Sequence, residues 1–385
     1  MAWEKVKLGD IATCIQPGPF GSQLHNSDYS ESGTPIIMPK DMIDGKISHS
    51  NLIFVGEEHT KRLCRHQVHA GNLMVARKGD VRKCVFITEN EDGWMTGSDC
   101  LKVALKENVC YPRFIYYQLR SPFIGRWLEK ISIGATMPSI NTGLLSSIEL
   151  VLPPLKEQKR IADILSAYDN LIENNQKQIK LLEEAAQRLY KQWFIDLRYP
   201  GHETTKIVDG LPEGWKKGKV GDVAEFKRGK VITKAQVADG NIPVVAGGQE
   251  PAYYHNTANT TAPVITVSGS GANAGFVQLY NENVFASDCS FADVNTTPYV
   301  YFVYSLLKDK KTELDSLQKG AAQPHVYAKD INALATIIPT DEILKKYTKI
   351  VSPYFDKIKI LKTQNKNLTQ ARDRLLPKLM NGEIF

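Results

Sequence analysis

The chain has 385 residues, 42% hydrophobic and 23% charged, with a formal net charge of +6 at pH 7. That length and balance imply two or three domains with sizeable cores, and exclude the disordered and collagen-like classes. The opening MAWEKVKLGDIATC has no apolar stretch of signal-peptide length, and nowhere do about 18 apolar residues run together as a membrane span requires, so a cytoplasmic protein with no membrane partner is expected.

In chain order the expected parts are a first globular domain over residues 1–152, a long helix over 153–198, a linker over 199–210, a second globular domain over 211–338 and a second long helix over 339–385. The globular parts hold short apolar runs broken by Gly, Asp and Asn, such as LMVARKGDVRKCVFI and APVITVSGSGANAGFVQLY, which read as strands joined by turns. YPRFIYYQLRSPFIGRWLEKI and TPYVYFVYSLLKDKKTEL read as helices, each introduced by a proline near its first turn. The fold class is therefore α+β. Cys14, Cys64, Cys84, Cys100, Cys110 and Cys289 stand far apart without a C-x-x-C pair, so they read as reduced structural thiols and no metal is implied.

An internal repeat is the strongest signal. WEKVKLGDI from Trp3 aligns with WKKGKVGDV from Trp215, and Gly134, Ala135, Pro138 and Pro153 align with Gly320, Ala321, Pro324 and Pro339 at a constant offset of 186. The same offset carries Lys159, Ile164, Ser166, Tyr168, Ile172, Gln178 and Lys180 onto identical residues. The front anchors are 212 apart, so the first copy holds 26 more residues, all between Asp10 and Gly134. Helix length is kept while globular length varies, as expected of a fixed spacer carrying two readers of different targets.

After Pro154, Ile161, Leu165, Tyr168, Ile172, Asn175, Ile179, Leu182, Ala186 and Leu189 recur at gaps of four and three. Tyr347, Val351, Tyr354, Ile358, Leu361, Asn365, Leu368, Arg372 and Leu375 repeat the seam, with Pro353 expected to kink this helix and Pro377 to stop it. Some 36 residues make a rod of roughly 54 Å. Two such rods are expected to pair antiparallel, related by a pseudo-twofold, in a register where Asn175 meets Asn365; the alternative leaves both amides at a wet edge. Beside the seam, Ile164, Leu171 and the following Trp193 and Phe194 form an apolar stripe, either a partner-docking surface or packing under the chain's own domains.

LPPLKEQKRIADILSAYDNLIENNQKQIKLLEEAAQRLYKQWFIDLRYPG, LPEGWKKGKVGDV and RDRLLPKLMNGEIF resemble the helical regions and domain opening of type I restriction-modification specificity subunits. The resemblance spans the chain, although the first copy begins without the LPEG that precedes the second. It implies a non-catalytic subunit whose two target-recognition domains each bind half of a split double-stranded DNA site. It further implies that the helices space those domains and dock two modification (methyltransferase) subunits, that restriction subunits join the assembly, and that S-adenosylmethionine belongs to the modification subunits, leaving this chain without a cofactor.

Contacts to DNA are expected from basic, hydroxyl and amide side chains on Gly-rich loops. The first copy offers Gly18, Ser22, Gln23, Lys40, Arg77, Lys78, Arg82 and Lys83, and the second Arg228, Lys230, Lys234, Gln249 and Asn273. The matched loops GATMPSIN and GAAQPHVY add Thr136, Ser139, Gln323 and His325, alike in frame and different in side chain. Enzyme chemistry finds little support: SGSGANAG departs from a phosphate loop, and eight scattered histidines suggest neither a metal cluster nor a triad. A coiled-coil adaptor whose globular parts bind protein is the alternative function.

Overall fold

A computed structural model describes residues 3–134, 137–319 and 324–384. Two compact units divide the chain, one formed by residues 1–172 with 367–385 and the other by residues 173–366.

In the first unit the central strand Leu73–Ala76 is buried on both faces, which is why its sequence is continuously apolar. It lies between Cys100–Leu105 and Cys84–Phe86, and Ala12–Pro17 completes an antiparallel sheet beyond Cys100–Leu105. A second sheet sets Met95–Thr96 parallel to Thr34–Ile37, followed by Ile53–Val55 and Tyr29–Ser30. The expected helix around residue 120 is two helices, Pro112–Leu119 and Pro122–Ile131, because Pro122 cannot donate to the preceding turn and Ser121 Oγ caps the second by accepting from the Ile124 N–H at 3.4 Å. Phe114, Ile115 and Tyr117 pack on Leu73, Val75, Leu101 and Val103, and the same core takes in Ile161, Leu165, Leu376 and Leu379 from the long helices.

The second unit repeats this plan. Its strands Lys227–Arg228, Cys289–Asp293, Val264–Ser268 and Val277–Tyr280 form an antiparallel sheet in the same spatial order, and Ile242–Val245 runs parallel to Phe285–Ala286. Helix Val300–Asp309 lays Phe302, Val303 and Leu306 on Ile265, Val267 and Ala292, in one core with Tyr190, Trp193, Phe194, Tyr347 and Val351. Among the described residues, the hairpin Met42–Ile43 with Lys46–Ile47 and the helix Glu57–Arg62 occur only in the first unit, within the span that carries its extra residues.

The long helices are Leu155–Tyr190, continued by a wider π-type turn Lys191–Ile195, and Asp341–Met380. The expected stop at Pro377 is corrected. Helix Asp341–Met380 runs without a break through Pro353, which is exposed, as is Lys349 one turn earlier, so the carbonyl that loses its donor faces solvent. Nor does Pro377 stop it, because Leu376, Leu379 and Met380 are buried in the first unit's core, and burying three large apolar side chains outweighs a proline penalty of about 3 kcal/mol.

Within each unit the helix segments run antiparallel. In the second, Asn175 Nδ2 donates to Asn365 Oδ1 at 2.9 Å, while the Tyr347 hydroxyl reaches the Ala186 carbonyl at 3.3 Å. In the first, Arg372 Nη1 donates to Asp169 Oδ1 at 2.6 Å, and Tyr117 donates its hydroxyl to the other carboxylate oxygen at 2.6 Å. The Arg372 and Asp169 side chains are only 16% and 11% exposed. Burial opposes the guanidinium charge, but the hydrogen bonds that Arg372 donates to Asp169 and Asp373 more than offset it and raise its pKa. Removing one member strands the other charge, so Arg372→Met is expected to lower the unfolding free energy by about 3–5 kcal/mol in chemical denaturation. The double variant Asp169→Leu with Arg372→Met should cost much less, since no charge stays buried and Tyr117 keeps Ser166 as a neighbour.

Candidate nucleic-acid interface

In the first unit, the turn after strand Leu73–Ala76 crosses a loop that returns from helix Pro122–Ile131. Lys78 and Ser139 form an antiparallel bridge, as do Ile133 and Ser139, and the Gly79 N–H donates to the Pro138 carbonyl at 3.0 Å. Gly79 has φ +79, a conformation L side chains rarely adopt, so glycine is needed at this crossing. Asp99 grips the turn twice: its carbonyl accepts the Arg77 N–H at 2.7 Å, and its carboxylate lies 3.2 Å from the Lys78 ammonium. The Arg77 guanidinium lies 5.5 Å from the ring centre of Phe20, which is 53% exposed.

The second unit builds the same crossing from other side chains. Ser270 and Lys319 bridge to His325, and the Gly271 N–H donates to the Pro324 carbonyl at 3.1 Å, with Gly271 at φ +78. Asp288 accepts the Gly269 N–H at its carbonyl, 3.1 Å away, and the Ser270 hydroxyl at its carboxylate. Arg228, Asp288, Ser290, His325 and Tyr327 line a small pocket here, the His325 ring stacking on Tyr327 at 6.0 Å. Gln249 Nε2 donates to Asn273 Oδ1 at 3.2 Å on the neighbouring loop.

Each unit thus displays polar and cationic groups on a rigid, twice-bridged loop crossing. The sequence matches the family described as type I restriction modification DNA specificity domain over residues 2–184 and 212–370. The chain belongs to that family. Among its relatives, the MjaIX specificity subunit of Methanocaldococcus jannaschii is 29% identical over 99% of this chain and 93% of its own length. The HindI specificity subunit of Haemophilus influenzae is 22% identical over 99% of both chains. The solved S subunit of the M. genitalium type I restriction-modification system shares the fold, with a TM-score of 0.61, 18% identity and coverage of 98% of this chain and 96% of that one. The protein is a type I specificity subunit, a DNA-recognition chain and not a catalytic one.

The specificity subunit distributes its sequence-predicted residues unevenly. Lys78 and Ser139 meet in the first unit, and Arg228, Gln249, Asn273 and His325 gather near the crossing in the second. Ser22 and Gln23 lie in the turn Gly21–Gln23, whose Gln23 carbonyl accepts from Arg62 at 2.9 Å. Lys230 and Lys234 are exposed, the former's N–H bonded to the Ala286 carbonyl at 3.0 Å. Others have structural occupations: Arg82 pairs with Asp80 at 2.8 Å and Glu129 at 3.2 Å, Lys83 donates to the Pro39 carbonyl at 2.9 Å, and Lys40 to that of Asn51 at 3.1 Å. Thr136 and Gln323 lie outside the described residues.

Gly18 is buried, and a Cβ there would overlap the Gly97 carbonyl; Gly229, its counterpart, would meet the Ser287 carbonyl. Their role is close backbone passage. The docking stripe also needs correcting: Trp193 and Phe194 are each 3% exposed, with ring centres 5.8 and 5.1 Å from that of Tyr347, so both belong to the second unit's core. Ile164 packs partly on the first unit's core, and Leu171 stays 51% exposed. Sequence reasoning missed Asp99 and Asp288, although the tripeptide Ser-Asp-Cys stands at both 98–100 and 287–289. Each cysteine of the pair is buried, its thiol facing a carbonyl of the second sheet, Ile37 at 3.4 Å and Val245 at 3.6 Å; burial raises both pKa values, that of Cys289 to about 12.

Gly18→Ala and Gly229→Ala each force a Cβ into backbone, and should destabilise their units by about 1–3 kcal/mol in thermal or denaturant melts. His66, 3% exposed, holds the Pro17 carbonyl at Nδ1, 3.0 Å away, and faces Arg65 and Lys102. Burial lowers its pKa, which the Pro17 carbonyl partly offsets, and the two cations lower it further. The unfolded chain therefore takes up this proton more readily. Stability from neutral His66 is complete above pH about 6.5 and falls as pH drops through that value, until the folded form also protonates. His66→Gln should flatten the melting temperature between about pH 7 and 5 relative to the parent.

Proposed function

We propose that the two units each read one half of a bipartite, asymmetric double-stranded DNA site. The long helices set the separation of the half-sites and dock two modification subunits, which hold S-adenosylmethionine and methylate adenine; restriction subunits join through that assembly, in the cytoplasm. The observation that carries this reading is the duplicated loop crossing with altered side chains, Lys78 and Ser139 in one unit and Ser270 and His325 in the other. Two readers alike in frame and unlike in surface suit a target whose halves differ. Helix length conserved between the repeats, beside globular parts of unequal length, supports the spacing role, and the exposed Leu171 gives a partner apolar surface to cover.

Mapping methylated adenine across the genome of cells with this chain and its modification subunit, and of cells lacking only this chain, tests the proposal. A two-part motif that vanishes with the chain is expected. An unchanged methylome, with the modification subunit present and active, would refute it.

A further inference from the structure

The two units serve as internal controls for one another. A contact to phosphate serves any sequence, so two readers of one duplex can keep it alike; a contact to a base edge must change when the base changes. At the matched crossings, glycine (Gly79, Gly271), proline (Pro138, Pro324) and aspartate (Asp99, Asp288) are the same in both units and make the same backbone contacts. The side chains held on that frame differ: Lys78 stands where the other unit has Ser270, and Ser139 where it has His325.

We propose that Lys78 with Ser139, and Ser270 with His325, are the specificity-determining pairs of the two readers, and that the first takes the edge of a guanine through Lys78, Ser139 giving its own hydroxyl proton to the Ile133 carbonyl at 3.0 Å. The proposal rests on the half-site reading above and assigns residues to it. Lys78 offers three donors and no acceptor, and the neighbouring Arg77 likewise only donates. Guanine is the base whose major-groove edge presents two acceptors, N7 and O6, with no donor between them. The Lys78 side chain is 45% exposed, so it is open to a ligand, while Asp99 at 3.2 Å limits where its ammonium can go. Asp99 is a positioning residue. Asp288 does the same for Ser270, whose hydroxyl proton it accepts, leaving the serine oxygen's lone pairs for a donor on a base. With an imidazole that donates at one nitrogen and accepts at the other, the second reader suits an edge of mixed character, and donors alone would not serve it.

The test uses the full chain with its modification subunits and reads the methylated motif position by position. Lys78→Ala is expected to admit other bases at one guanine of one half-site, with discrimination there falling about ten- to a hundredfold and the other half-site unchanged. Lys78→Arg, which still only donates, keeps the guanine. His325→Ala relaxes the opposite half-site and leaves the first intact. An unaltered motif in Lys78→Ala and His325→Ala would overturn the assignment, as would a uniform loss of methylation at all sites without any change of motif, which is the behaviour of phosphate contacts. A relaxed position other than guanine in Lys78→Ala would overturn the base assigned to the first pair. A motif that persists when the whole chain is deleted would instead defeat the half-site reading itself.

Discussion

What either unit can present to a ligand depends on one arrangement, an aspartate immediately before a sheet strand that holds the turn after the neighbouring strand by both its backbone and its side chain. Asp99 does this to Arg77 and Lys78, and Asp288 to Gly269 and Ser270. Because the carbonyl grips the backbone, the position of the turn does not depend on which side chain it carries. Because the carboxylate grips whatever polar group follows, a lysine or a serine can be fixed by the same device. The second loop is then tied to the turn by backbone bonds alone, Gly79 to Pro138 and Gly271 to Pro324, which again make no demand on side chains. A frame that rests on main-chain contacts is free to vary what it displays.

The helix segments follow a different logic, in which polar groups inside an apolar seam fix register at some expense of stability. A leucine pair can slide by a heptad and find another leucine, whereas Asn175 finds its amide partner only opposite Asn365. In the first unit, Asp169 and Arg372 act with Tyr117, which ties the pairing of the helices to the helix lying on the sheet. The repeat-related positions in the second unit are Phe355 and Ala186, both buried in its core, with Phe355 stacked on Tyr301 at 4.6 Å. The two units thus reach the same helix geometry by a charge pair in one case and by aromatic packing in the other. The ionic solution is the more vulnerable to loss of one member, because a stranded charge costs more than a cavity of moderate size.

The seam was legible in the sequence because its period is local: apolar residues at gaps of four and three identify a helix face without reference to anything distant. The duplication was legible because Gly, Pro and Trp fall at fixed spacings. What escaped was information carried between strands. Asp99 and Asp288 act through a neighbouring strand, and a three-residue identity flanked by unlike residues gave no periodicity to notice. Composition flagged Gly18 as a loop glycine, but only the sheet edge against which it passes reveals why it lacks a side chain. Trp193 and Phe194 read as a stripe continuing Ile164 and Leu171, yet the wider turn Lys191–Ile195 alters the helical phase, and both rings turn into the core. Arg372 stood in the seam as a misfit, and its partner was hidden because Asp169 lies one residue off the heptad position. Pro377 failed as a stop signal because local propensity was opposed by three buried apolar neighbours.

These two logics bear differently on how such a protein can change. A substitution at Lys78 or His325 alters a side chain on a frame that does not need it, so new displays can arise with little loss of stability. A substitution at Asp99, Asp288 or the glycines beneath the crossing alters the frame, and every group it carries moves together. The same holds for the helices, where exposed positions are tolerant and Asn175 or Asp169 are not. Variation is therefore channelled to the outer side chains of the crossing, which are also the groups proposed to read the base. In a chain whose two halves arose by duplication, that division explains how the halves could diverge in surface while keeping the same sheets and crossing.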